Sequence, residues 1–86
     1  MKTEAQVIQI FERVIGTSGL SPETRFLDIG GNSLNLVAVL KLLKEKTGVV
    51  PAPRMFFDKA YGTVAAISSA IDIQRQELGL QLAVTD

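Results

Sequence analysis

The chain has 86 residues, with nine Lys plus Arg balancing nine Asp plus Glu, no His, no Cys, no Trp and 47% hydrophobic residues. That length is one small domain, and the absence of net charge removes the electrostatic case for nucleic acid, whose binding rests on an excess of Lys and Arg. Without His or Cys there is no common zinc ligand set and no Ser-His or Cys-His nucleophile pair, so neither a metal site nor a catalytic residue is expected.

At about 100° per residue, Val7, Ile8, Phe11, Val14 and Ile15 share one helical arc, with Gln6, Gln9, Glu12 and Arg13 outside it. A first helix is predicted over 4–15, with Thr3 and Gln6 spaced as a capping box and Gly16 as its stop. Residues 16–32 hold no period of 3.6 or 2 and read as a long loop. Its apolar anchors are Leu20, Phe26, Leu27 and Ile29, and a short turn is expected at Ser21–Thr24. Loops of this length in compact domains are usually functional or disordered, and the anchors favour attachment to the core.

The strongest helix signal runs from Ser33 to Thr47 and ends at Gly48, with Pro51 and Pro53 beyond it. Leu36, Val39, Leu40 and Leu43 make one apolar face, while Leu34, Val37 and Ala38 lie near the opposite side beside Lys41 and Glu45. A domain this small turns only one of them inward, so the other is covered by the long loop or left for a partner. A short turn over Arg54–Asp58 carries Met55, Phe56 and Phe57, and paired aromatics of this kind are expected in the core. Thr63 then caps a last helix over 64 to about 77, with Val64, Ile67, Ala70, Ile71 and Leu78 on one face. Residues 78–86 alternate in a way that suits a strand as well as a frayed helix, and an adaptable tail is expected there. The predicted fold is all-α: one domain over 1–86 with its core at about 4–77, built as a small bundle of three main helices plus one short helix. A long loop joins helices one and two. Glu12 and Arg13 interrupt any signal-type apolar segment, and no stretch reaches the roughly 18 apolar residues of a membrane span. A soluble, cytoplasmic monomer is expected.

Ser33 is the candidate reactive residue. Serine before an apolar run is usually a helix cap, but Asn32 caps equally well and would leave the Ser33 hydroxyl free. Gly30 and Gly31 permit backbone shapes closed to other residues and keep bulk away. The amides at a helix start also favour a phosphate joined to the hydroxyl. Gly31-Asn32-Ser33-Leu34-Asn35 lacks the second glycine of a nucleophile elbow and the chain has no His to act as base, which excludes a hydrolase. The Gly30-Gly31 pair has neither the Lys-Ser/Thr of a P-loop nor the third glycine of a dinucleotide fingerprint.

Phe26-Leu27-Asp28-Ile29-Gly30-Gly31-Asn32-Ser33-Leu34 resembles the modification motif of the phosphopantetheine-dependent carrier proteins, most of all the peptidyl carriers of nonribosomal peptide synthetases. Met55-Phe56-Phe57-Asp58 and Thr63-Val64 resemble the family's third helix and the entry to its fourth, so the likeness spans roughly 4–75. It implies an acyl-carrier-protein-like bundle in which a phosphopantetheinyl transferase joins 4'-phosphopantetheine from coenzyme A to Ser33. The serine is then a substrate. The arm's thiol would carry an aminoacyl or acyl thioester from an adenylating or other loading enzyme to condensation, tailoring or thioesterase partners, as in the biosynthesis of antibiotics and related metabolites. Asp28 would sit near the modification site, or merely occupy a turn. Gly30 and Gly31 would admit the transferase, or merely make the bend. Leu34, Val37 and Lys41, with Ala38 beside them, match positions that carriers present to partners, and one of Phe56 and Phe57 would border that face.

The sequence departs from the family pattern at Asn32, where peptidyl carriers often have His. It also lacks the Asp-Ser-Leu and acidic second helix of fatty-acid carriers. Between Lys41 and Lys59, five cations face Glu45 and Asp58, a local excess of three positive charges. This favours the peptidyl type, and the cluster is either a solvated face or a means of steering an acidic partner. Opening on Met1 and closing soon after the last helix suggests a free-standing carrier, although an excised domain would look the same. The competing reading is a non-covalent helical interaction module using the exposed face of the second helix, with Ser33 only a cap.

Overall fold

The structure, a computed structural model, describes residues 2–85 and the side chains of residues 2–79. Three helices, α1 (Lys2–Ile15), α2 (Ser33–Thr47) and α3 (Val64–Thr85), are joined by segments that hold two 3-10 turns, at Leu27–Ile29 and Pro53–Phe57. The fold is the expected small all-α bundle. The central element is α1, which packs against both α2 and α3.

Position in the bundle explains where α1 departs from its sequence pattern. Thr3 is not the cap; it lies inside the first turn, buried, and its Oγ1 donates to Asp72 Oδ1 at 2.7 Å across to α3. A hydroxyl bonded to a carboxylate gains more than one capping a neutral amide, so the interhelical contact prevails and the helix starts at Lys2. Facing two helices also buries Ile10 together with Val7 and Phe11, while Ile8, Val14 and Ile15 are only partly covered. Gly16 closes the helix as expected, in the left-handed region at φ +81°, its amide bonded to the Glu12 carbonyl at 2.8 Å.

The long loop is fastened rather than free. Phe26 is fully buried, and Leu20 and Ile29 pack at the edge of the core. Leu27, expected as a fourth anchor, is 43% exposed because the 3-10 turn that starts at it rotates it outward. Three backbone bonds tie the loop to the entry of α3: the Phe26 amide to the Gly62 carbonyl at 2.9 Å, the Val64 amide to Thr24 at 3.0 Å and the Ala65 amide to Pro22 at 2.9 Å. A single antiparallel bridge, Arg25 with Thr63, results, and among the described residues no strand forms. These bonds satisfy backbone groups that an ordered loop would otherwise leave unpaired.

Four phenylalanines join the loop to the bundle. Phe26 packs on Phe11 (ring centroids 5.4 Å apart), on Phe56 (5.5 Å) and on Phe57 (5.9 Å). The last two come from the Pro53–Phe57 turn, which stands where the short helix was expected. Thr63 caps α3 through its Oγ1, which accepts from the Ala66 amide at 3.1 Å. Val64, Ile67 and Ile71 are buried, whereas Leu78, on the same face of the continuous helix, is 45% exposed, since the core stops short of it. The helix nonetheless runs to Thr85, so residues 78–85 take the helical and not the strand alternative. Asp86, the end of the expected tail, lies outside the described residues. Leu, Gln and Ala make up five of residues 78–85 and favour helix strongly enough to carry Gly79. Among the described residues no helix is long and apolar enough to cross a membrane.

Candidate functional site

Residues 26–35 form a bend that delivers Ser33 to the first turn of α2. The Leu27–Ile29 turn ends at Gly30, in the left-handed region at φ +86°, whose amide bonds the Leu27 carbonyl at 3.3 Å. Gly31 follows, its amide on the Phe26 carbonyl at 3.0 Å. A Cβ at Gly31 would stand 2.5 Å from two carbons of the Phe26 ring, so this glycine exists because the chain crosses an aromatic face. At Gly30 the space is open and backbone conformation makes the demand. Both glycines therefore make the bend.

Asn32 takes the cap. Its backbone is extended and its Oδ1 accepts from the Asn35 amide at 2.9 Å, while its carbonyl accepts from the Leu36 amide at 2.8 Å. Ser33 is exposed, and among the described residues no hydrogen bond engages its hydroxyl. The first turn of α2 holds no acidic residue, leaving its amide dipoles unopposed toward an anion. An exposed alcohol beside unopposed amides fits a phosphodiester. Asp28 pairs with Arg25, its Oδ2 lying 2.8 Å from Arg25 Nε in an exposed ion pair worth at most about 1 kcal/mol.

The two apolar faces of α2 divide as the periodicity indicates. Leu36, Val39 and Leu43 are buried and Leu40 is half-buried, while Leu34 is 84% and Val37 69% exposed, with Ala38 and Lys41 exposed beside them. The loop does not cover this face. Phe56 is fully buried, and Phe57, at the edge of the aromatic cluster, keeps 37% of its surface. Lys41, Lys44, Lys46, Arg54 and Lys59 are all exposed.

Residues 5–71 match the family described as the phosphopantetheine attachment site. The chain belongs to this family. It is therefore a carrier that bears covalently attached 4'-phosphopantetheine and is a substrate of modifying enzymes, not a catalyst, and the purely non-covalent interaction module is set aside. The carrier is 38% identical over 68 residues to the polyketide synthase PksN of Bacillus subtilis (strain 168), a stretch covering 79% of this chain and 1% of that protein's length. No solved structure matches it.

Sequence reasoning misses one residue of this carrier's bend. Asn35 stands among apolar neighbours and draws no attention there, yet its side-chain Nδ2 donates to the Gly30 carbonyl at 3.3 Å. The signal that could have found it is the three-residue spacing from Asn32 to Asn35, that of a cap and its amide partner. Packing of Gly31 on Phe26 yields a direct test. Gly31→Ala is expected to cost about 1–3 kcal/mol by overpacking, and Phe26→Leu in the same chain to recover part of that loss, giving a coupling of at least about 0.5 kcal/mol in a urea double-mutant cycle. Additive costs would show that the ring is not what excludes a side chain at Gly31.

Proposed function

We propose that Ser33 Oγ is the attachment atom and that the loaded protein is an aminoacyl carrier in nonribosomal peptide or related secondary metabolism, working in the cytoplasm. The observation that carries this reading is the free, exposed hydroxyl at a helix start whose cap is supplied by Asn32. In the loading step the Ser33 oxygen forms a bond to the phosphorus that bears pantetheine, and the pyrophosphate bond of coenzyme A breaks. The nucleotide bisphosphate leaves, and the serine proton passes to a base of the transferase. When bound, the arm supplies a thiol that this Cys-free chain lacks, for holding cargo as a thioester. The chain's own residues fix the oxygen's position, withhold acidic groups from the phosphate and present Leu34, Val37, Ala38 and Lys41 to visiting enzymes. Those visitors are the transferase, an adenylating or other loading enzyme, and downstream condensation, tailoring or thioesterase enzymes. Asp28, through Arg25, steadies the turn that leads into Gly30 and Gly31.

The excess of cations from Lys41 to Lys59 supports the peptidyl type over an acidic fatty-acid type. A polyketide acyl cargo is the second reading, favoured by the likeness to PksN. Intact-mass analysis of the holo protein separates them, with an amino-acid pool, ATP and an adenylating enzyme in one arm and malonyl-coenzyme A with an acyl transferase in the other. An aminoacyl increment is expected; a malonyl increment alone would overturn the aminoacyl assignment.

A further inference from the structure

Gly30, Gly31 and Asn32, the three residues leading into Ser33, are each held by a hydrogen bond, and one residue beyond Ser33 supplies two of the partners. The Gly30 carbonyl accepts from Asn35 Nδ2 at 3.3 Å, and Asn32 Oδ1 accepts from the Asn35 backbone amide at 2.9 Å. Gly31 is held from below by the Phe26 carbonyl and ring. Asn35 thus closes a ring around Ser33, from Gly30 on one side to the third residue of α2 on the other. The serine hydroxyl itself stays outside every one of these bonds. Two consecutive glycines would otherwise leave this stretch the most freely rotating part of the chain, because each glycine surrenders more conformational entropy on ordering than any other residue.

We infer that Asn35 is a positioning residue for phosphopantetheine transfer, holding the Gly30–Asn32 bend in the one conformation that presents Ser33 Oγ to the transferase. The inference rests on Ser33 being the attachment atom. Its physical content is a population: where only a fraction of carrier molecules holds the competent bend, the apparent affinity for the transferase falls by that fraction, and the step after binding is unchanged. The effect therefore belongs to KM and not to kcat.

Two variants test it. Asn35→Leu removes the side-chain donor and keeps the backbone amide that Asn32 caps. Asn35→Asp replaces the donor by a carboxylate that repels the Gly30 carbonyl, yet an acid at the third helical position interacts favourably with the helix dipole and keeps the fold at least as stable. Both are expected to raise the KM of the carrier for a broad-specificity phosphopantetheinyl transferase by about 3- to 10-fold, the range of one modest hydrogen bond. For Asn35→Leu, kcat is expected to stay unchanged, whereas Asn35→Asp also sets a carboxylate in the first turn of α2 against the incoming phosphate and lowers kcat as well. Both are expected to lower the NMR order parameters at the Gly30, Gly31 and Asn32 amides. Asn35→Asp is also expected to melt no lower than the wild type, so that modification and stability part company. A KM unchanged in Asn35→Leu, or raised in both variants with no loss of order in the bend, would overturn the inference alone. A folded wild type that takes no phosphopantetheine on Ser33 would instead overturn the attachment reading, and this inference with it.

Discussion

Phe26→Ala is expected to lower the unfolding free energy by about 3–5 kcal/mol, the range for truncating a buried aromatic ring. Phe26 is fully buried, meets Phe11, Phe56 and Phe57, and lies under Gly31. For 86 residues the whole stability is roughly 4–13 kcal/mol, so this one truncation removes a large share of it. Urea denaturation followed by circular dichroism reads the loss. Because Phe26 stands in the loop and not in a helix, the result also measures how firmly the loop is fixed. A cost below about 1 kcal/mol would mean that the aromatic cluster does not anchor residues 16–32 and that the bend before Ser33 is held by its backbone bonds alone.

The second large effect separates the two faces of α2. Leu43 is fully buried and Val37 is 69% exposed. Leu43→Ala is expected to destabilise by about 2–5 kcal/mol, while Val37→Asp should leave the melting temperature nearly unchanged, a charge in open solvent displacing nothing. The order reverses in a loading assay, where a carboxylate set in the apolar patch of Leu34 and Val37 should impair acceptance by a partner enzyme and folded Leu43→Ala should not. If Val37→Asp unfolds the protein, that face is core and not a docking surface.

The sequence is informative wherever a single element sets its own geometry. Gly16 and Gly48 end their helices in the left-handed region, and Thr63 and the inward face of α2 need only local rules of capping and periodicity. The same rules place Ser33 beyond a competing cap at Asn32. What escapes detection depends on a second element arriving from elsewhere. Thr3 leaves its cap position for Asp72, a residue 69 positions away. Ile10 is buried because α1 has two neighbours, and Leu27 turns outward in a 3-10 turn that no period announces. The close approach of Gly31 to Phe26 is equally hidden, since a glycine needed for space and a glycine needed for a turn look alike in a string of letters. Asn35 illustrates the same difficulty on a smaller scale: its side-chain partner is a carbonyl that reaches it only after Gly30 has adopted a positive φ.

Ser33 keeps its alcohol unbonded while Asn32 caps the helix start, and the attachment proposed for the carrier follows from that division of labour. Its most direct test is intact-mass spectrometry of the apo protein after incubation with coenzyme A and a broad-specificity phosphopantetheinyl transferase, beside Ser33→Ala shown by circular dichroism to be folded. One phosphopantetheine is expected on the wild type and none on the variant. No addition to folded wild type, or undiminished addition to Ser33→Ala, would contradict the assignment.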